Sequence, residues 1–142
     1  MLKGWYEKNI GEEWMNFRNR IMELLQEEAE LEEIVKLVGV DALEKNDRLK
    51  LEVARSIRED YLHQDAFHEV DTYTSLKKQL IMMRLILYFY DDANTAINNG
   101  YDIEKISSLA VREKIGRIKY VKEDAVGEEF LKIIREIEEV FG

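Results

Sequence analysis

The sequence predicts an all-α fold, a bundle of about five to six helices with one long central helix. Three observations carry this. There is no proline in 142 residues and only seven glycines, so little interrupts a helix and little supports a turn-dense β fold. Apolar residues recur at steps of three and four over long stretches, the period of one helix face. The stretch from Leu76 to Asn98 is apolar around so much of its circumference that it has to lie inside the bundle.

The elements follow in order. The first helix is expected from near Gly11, where Glu12 and Glu13 suit the positive end of a helix dipole. Its stripe runs Trp14, Phe17, Ile21, Leu24, Leu25, Leu31, Ile34, Val35, Val38, and Gly39 ends it in a left-handed cap. Residues 40–46 read as a short charged loop, and Asn46 or Asp47 as the cap of the next helix. That helix carries Leu49, Val53, Ala54, Ile57, Tyr61 and Leu62 and stops near residues 63–65, before an ordered loop over 66–74. Ser75 caps the long helix, whose core face is Leu80, Met83, Leu87, Tyr90 and Ile97 and which Asn98, Asn99 and Gly100 terminate. Short helices over 102–109 and 111–118 precede a last one from about Asp124 to Phe141, lined by Phe130, Ile133, Ile134, Ile137, Val140 and Phe141.

Composition narrows the chemistry. There is no cysteine, hence no disulfide, thiolate metal site or cysteine nucleophile. A net charge of −9 repels phosphate backbones, so nucleic acid is not an expected partner. The longest apolar stretch, Leu80 to Tyr90, carries Arg84 and falls short of the ~18 residues a bilayer span requires, so no direct membrane insertion is expected. The start, Met1-Leu2-Lys3-Gly4-Trp5, has no apolar core of a signal peptide.

Catalytic motifs are missing. There is no phosphate-binding G-x-x-x-x-G-K-[ST] loop. His63 and His68 stand five apart, off a common helix face, so no metal site is expected. Adjacent carboxylates such as Glu27 and Glu28 or Glu32 and Glu33 read as solvated helix faces. Asp91 and Asp92 follow an apolar stretch, and with His68 they are the residues a small helical enzyme would use.

Two segments carry a resemblance. Leu51 to Tyr73 resembles LEVAR-x-IRED-[FY]-L-x-Q-[ND]-AF-x-x-VDTY, and Val111 to Tyr120 resembles VREKIARMKY. Both strings belong to the catalytic A subunit of archaeal-type and vacuolar-type rotary ATPases. Gly4-Trp5-Tyr6 and the run Gln26 to Val35 are similar too, so the resemblance spans nearly the whole chain in the family's order. It implies a single domain over residues 1–142, the C-terminal helical bundle of that subunit, with the nucleotide-binding domain absent. The phosphate loop, the catalytic glutamate and the site for ATP and magnesium then belong to the missing part. No catalytic residue and no cofactor is expected in the bundle itself.

The resemblance also implies roles. The family is similar to the catalytic β subunit of F-type synthases, whose bundle presents an acidic DELSEED loop to the rotating shaft. Asp41, Leu43, Glu44, Lys45 and Asp47 stand at the equivalent place, diluted in charge by Lys45 and Asn46. Phe67 matches the phenylalanine that lies against the adenine ring, with Gln64 as a polar neighbour; packing of Phe67 onto the bundle is the competing reading. His63 and Asp65 replace the Gln and Asn the family often has, and Thr74 replaces a Cys. Arg55, Arg58, Arg112 and Arg117 read as ion pairs within the bundle, Arg55 with Glu59 for instance. Implied partners are the central-stalk rotor subunits and the neighbouring non-catalytic B subunits. The implied location is the cytoplasmic, membrane-peripheral head of a machine that couples ATP turnover to proton or sodium transport. A free-standing helical interaction module is the alternative.

Overall fold

The computed structural model describes residues 2–62 and 76–142, with side chains from Gly11 to Asp60 and from Leu76 onward. Among the described residues there are five α-helices and no strand. They are α1 (Leu2–Val38), α2 (Lys45–Ser56), α3 (Leu76–Asn98), α4 (Ala110–Gly116) and α5 (Val126–Phe141). A 3₁₀ turn at Val40–Ala42 joins α1 to α2, and a π-helical turn at Ile57–Leu62 continues α2. The all-α bundle expected from the periodicity is the fold observed.

α3 is central because most of its circumference is buried, and only a narrow face through Lys77, Asp91, Thr95 and Asn98 meets water. Met82, Met83, Leu85, Ile86, Leu87 and Phe89 are all buried, as are Ala93, Ala96 and Ile97. α2 adds Leu49 and Val53 and the π-helical turn adds Ile57, α4 adds Val111 and Ile115, and α5 adds Val126, Ile133 and Ile137, all in one continuous core. Arg84, the charge inside the apolar stretch, is accommodated at the margin: its guanidinium lies 5.8 Å from the ring centres of Phe17 on α1 and Phe130 on α5, and it pairs with Glu13. Phe141 closes the far end against Phe89 and Tyr101, with ring centres 5.5 and 5.1 Å away.

The end of α3 is where the sequence placed it. Gly100 takes φ +104°, its N–H bonds the carbonyl of Ile97 at 3.1 Å, and the N–H of Tyr101 reaches the carbonyl of Ala96 at 2.9 Å. This paired closure satisfies carbonyls a helix end otherwise leaves open.

Other boundaries differ from expectation. α1 begins at Leu2 and runs through Gly11; one glycine costs a helix only about 1 kcal/mol. The expected helix over 102–109 is a 3₁₀ segment, Ile103–Ser108, whose cap is Asp102, its Oδ1 accepting from the N–H of Glu104 at 2.9 Å. α4 tightens into a 3₁₀ turn at Arg117–Tyr120, and a 3₁₀ turn at Glu123–Ala125 delays α5 to Val126. The α1 stripe is buried at Ile21, Leu24 and Leu31, but Ile34 and Val38, expected in the core, are exposed.

The arginines pair within the bundle, with one change of partner. Arg112 on α4 donates to Glu52 Oε2 (2.7 Å), the Glu52 carbonyl (2.8 Å), Ser56 Oγ (2.7 Å) and the Ile106 carbonyl (3.3 Å). Arg55 pairs with Glu52 at 2.9 Å rather than with Glu59, because Arg112 already holds that carboxylate in reach. Arg58 joins the π-helical turn after α2 to α1 through Glu28, at 2.5 and 3.1 Å. Arg112 is nearly buried, and its removal strands two carbonyls, a carboxylate and a hydroxyl. Arg112→Ala is expected to lower stability by roughly 2–4 kcal/mol, and Arg112→Lys to recover less than half, since an ammonium cannot reproduce the guanidinium fork. Urea unfolding of the two variants beside the parent chain checks both.

Candidate functional site at the first helical hairpin

The site the sequence singles out is the turn between α1 and α2, and its shape begins with Gly39. The Gly39 N–H bonds the Val35 carbonyl at 2.8 Å and finishes α1. Its backbone then takes φ +86° and ψ 160°. The positive φ was expected, but this is not the left-handed helical conformation. It is an extended region that essentially only glycine visits, and it turns the chain sharply out of α1. The N–H groups of Ala42 and Leu43 bond the carbonyls of Gly39 and Val40, at 3.3 and 3.1 Å, and shape the short 3₁₀ turn.

α2 starts without a side-chain cap. Asn46, a candidate for that cap, is used elsewhere: its Nδ2 donates to Asn94 Oδ1 at 2.6 Å and to Asn98 Oδ1 at 3.0 Å. The turn is thereby tied to the C-terminal end of α3. Arg48 adds a second tie to Glu104 at 2.6 Å, and Lys50 a third, to Glu27 on α1 at 3.0 Å. The Lys50 ammonium is raised above its ordinary pKa, chiefly by its bond to the accepting Glu27 carboxylate and against the effect of burial. Leu49 is fully buried directly behind the turn.

Of the sequence-predicted residues, Asp41, Glu44 and Lys45 are exposed, Leu43 and Asp47 are half-buried, and Asp47 lies 3.8 Å from Lys50. The structure brings these five together on one hairpin end. Phe67 and Gln64 lie outside the described residues, as do His63 and His68. The turn also carries an exposed apolar group, two of whose members, Ile34 and Val38, the periodicity placed in the core. Leu37 is 84% exposed, Val38 61%, Ile34 44% and Val40 42%. These are four of the nine large apolar side chains exposed among the described residues, gathered within seven positions. The sequence marked only one of them: Ile34 and Val38 continue the stripe of Leu24 and Leu31, Val40 follows Gly39, and Leu37 alone sits beside the stripe.

The residues of the enzyme alternative are occupied otherwise. Asp91 makes a two-pronged pair with Arg20 at 2.6 and 3.1 Å, and that bond raises the guanidinium further. Asp92 faces an open cleft of about 530 Å³ that it lines with Thr95, Tyr101 and Glu138. Burial foremost, then Glu138 and Asp91, raises its carboxyl above the usual range. Glu138 accepts from the Tyr88 hydroxyl at 2.8 Å, a bond that lifts the phenol to about 12. The cleft lining offers neither a histidine nor a cation to polarise a substrate. Among the described residues no group of three metal-ligating side chains comes together, and no helix is long and apolar enough to cross a membrane.

Residues 3–107 match the family model described as the C-terminal domain of V and A type ATP synthase. The chain is 58% identical over 135 residues to the V-type ATP synthase alpha chain of Acetivibrio thermocellus, covering 95% of this chain and 23% of the relative. It is 54% identical over 136 residues to that of Clostridium botulinum, covering 96% and 23%. To that of Thermoanaerobacter pseudethanolicus it is 54% identical over 123 residues, covering 87% and 21%. The chain therefore spans less than a quarter of the length of these relatives.

The conformation of Gly39 makes a direct prediction. A Cβ there meets no atom within 4 Å, so any cost comes from the backbone alone. Gly39→Ala is expected to destabilise by about 1–3 kcal/mol, whereas Gly11→Ala, in a helix interior and equally unobstructed, should stabilise by roughly 0.5–1 kcal/mol. Thermal unfolding of both variants would reveal the opposite signs.

Proposed function

The chain belongs to the family of C-terminal domains of V and A type ATP synthases, and from that premise we propose that it is the torque-transmitting bundle of the catalytic subunit. On this reading the nucleotide state of the domain that precedes it in the longer relatives swings the bundle. The hairpin at residues 39–44 then presses on the central-stalk rotor. ATP and magnesium are bound in that preceding domain. The bundle's lateral neighbours are the non-catalytic B subunits, and the assembly is the membrane-peripheral head of a motor that moves protons or sodium ions.

The observation that carries the proposal is the fixation of the turn. A pushing element has to be stiff, and a short turn whose backbone leaves α1 through a glycine-only conformation is stiff only if braced from behind. Asn46 braces it on α3, Arg48 on the 3₁₀ segment after α3, and Lys50 on α1. The buried Leu49 ties it to the core. A free-standing interaction module does not call for three ties behind one turn, whereas a lever does.

Removing residues 43–46 from the full subunit in the assembled motor should lower stall torque or the coupling of hydrolysis to rotation. Asn46→Ala, which cuts only the tie to α3, should lower torque less, by up to about twofold, with ATP hydrolysis retained. Single-molecule rotation under load reads both, and normal torque after the deletion removes the coupling role.

We also propose, on the motif alone, that Phe67 stacks on the adenine of bound nucleotide, with Gln64 beside it. Stacking on an aromatic face is worth about 0.5–1.5 kcal/mol beyond area burial. Phe67→Ala in the full subunit should therefore weaken nucleotide binding by roughly threefold to tenfold. Unchanged affinity in a fluorescent-nucleotide titration would assign Phe67 to packing.

A further inference from the structure

We propose that the docking surface of the hairpin is its apolar α1 side, Ile34, Leu37, Val38 and Val40, and that it takes a helical partner surface with an apolar groove and basic flanks. This rests on the coupling role above and names the chemistry of the contact, which the acidic turn had seemed to supply.

Three features converge on it. Ile34, Leu37 and Val38 follow the i, i+3, i+4 spacing by which one helix seats in the groove of another. Their exposure rises toward the turn, from the nearly buried Leu31 through Ile34 to Val38 and Leu37, so the seam that packs α1 into the bundle runs out of covering elements just before Gly39. An exposed apolar cluster with a polar border is a contact surface rather than a random scatter of side chains.

Charge specifies the partner's border. Between residues 30 and 47 there are six acidic residues and two basic ones. Lys36 is engaged by Glu33 at 3.4 Å. Among the described residues Asp41 and Glu44 make no ion pair, and they flank Val40 and Leu43 at the apex. A partner therefore needs lysine or arginine at the edge of its groove. The energetic weight lies in the centre: exposed ion pairs contribute little in water, while withdrawing a leucine and three branched side chains from water contributes several times more. A rotor surface of this kind is gripped through apolar contact, with the acidic rim setting orientation and encounter rate.

The test uses the complete complex with a photo-activated cross-linker at Lys45, exposed on the α2 side of the turn and outside the apolar cluster. One variant carries Leu37→Ser, Val38→Ser and Val40→Ser, a second carries Asp41→Asn and Glu44→Gln, and a third carries the shape-keeping Leu37→Met and Val38→Ile. The expected result is labelling of a rotor subunit that falls at least tenfold in the serine variant, changes less than twofold in the charge-neutral one, and persists in the third. Stall torque is expected to fall at least twofold in the serine variant alone. Undiminished rotor labelling and torque in the serine variant overturn the apolar surface while leaving the coupling role in place. So does an effect of the charge-neutral variant as large as that of the serine variant. Labelling of no rotor subunit in the unsubstituted complex, or of a second copy of this chain instead, overturns both.

Discussion

A helix with six buried residues between Met82 and Phe89 needs apolar cover over most of its circumference, and the rest of the bundle is arranged to meet that demand. α1 and α5 approach α3 where Arg84 needs aromatic faces, at Phe17 and Phe130. α2 supplies Leu49 and Val53, the π-helical turn after it supplies Ile57, and α4 supplies Val111 and Ile115. Apolar contact is non-directional, so by itself it leaves the surrounding helices free to slide. The charged contacts at the margins remove that freedom. Arg20 reaches Asp91 and Glu13 reaches Arg84, both across 71 positions of sequence. One offset shared by two pairs fixes α1 and α3 side by side and pointing the same way.

The Arg112 cluster does the same for α4. A helix of only seven residues cannot hold its place by propensity. Four hydrogen bonds from one guanidinium to α2 and to the preceding 3₁₀ segment position it instead. Gly116 on α4 leaves room for a side chain across from it: a Cβ there would stand 2.6 Å from the Asp60 carboxylate. Asp60 is correspondingly raised in pKa, by desolvation first, with Lys119 and Arg112 opposing. The VREKIARMKY string that this segment resembles has alanine at that place; in this chain the Asp60 carboxylate occupies the space such a methyl group would need.

Long-period features were legible in the sequence. α3, its apolar circumference and its stop at Gly100 needed only periodicity and one glycine, and both are local properties. What depended on a neighbour was not legible. Ile34 and Val38 carry the same stripe as Leu24 and Leu31, and nothing in α1 itself tells where covering elements end. Asn46 is chemically fit to cap α2, and only the arrival of Asn94 and Asn98 takes its amide away. Arg55 had two acids within one helical turn, and the choice of Glu52 was made by Arg112, sixty residues away. The five turn residues were singled out through resemblance, while the exposure of Ile34 and Val38 beside them was hidden by the regularity of the stripe.

On the proposed coupling role, those two halves of the turn differ in what they can transmit. A charge acts at a distance but loses strength in salt and water, so a moving charged contact is soft. An apolar contact is short-ranged and stiffens only on close approach, and it requires a support that does not yield. The ties behind residues 39–44 supply such a support: Asn46 to α3, Arg48 to Glu104, Lys50 to Glu27. The glycine-only backbone of Gly39 sets the exit angle of the chain from α1. A turn braced in this way has no use for strong charge, which is consistent with Lys45 and Asn46 standing among its acids. Stiffness behind and apolar surface in front belong together, because a grip made by contact alone works only if neither side gives way.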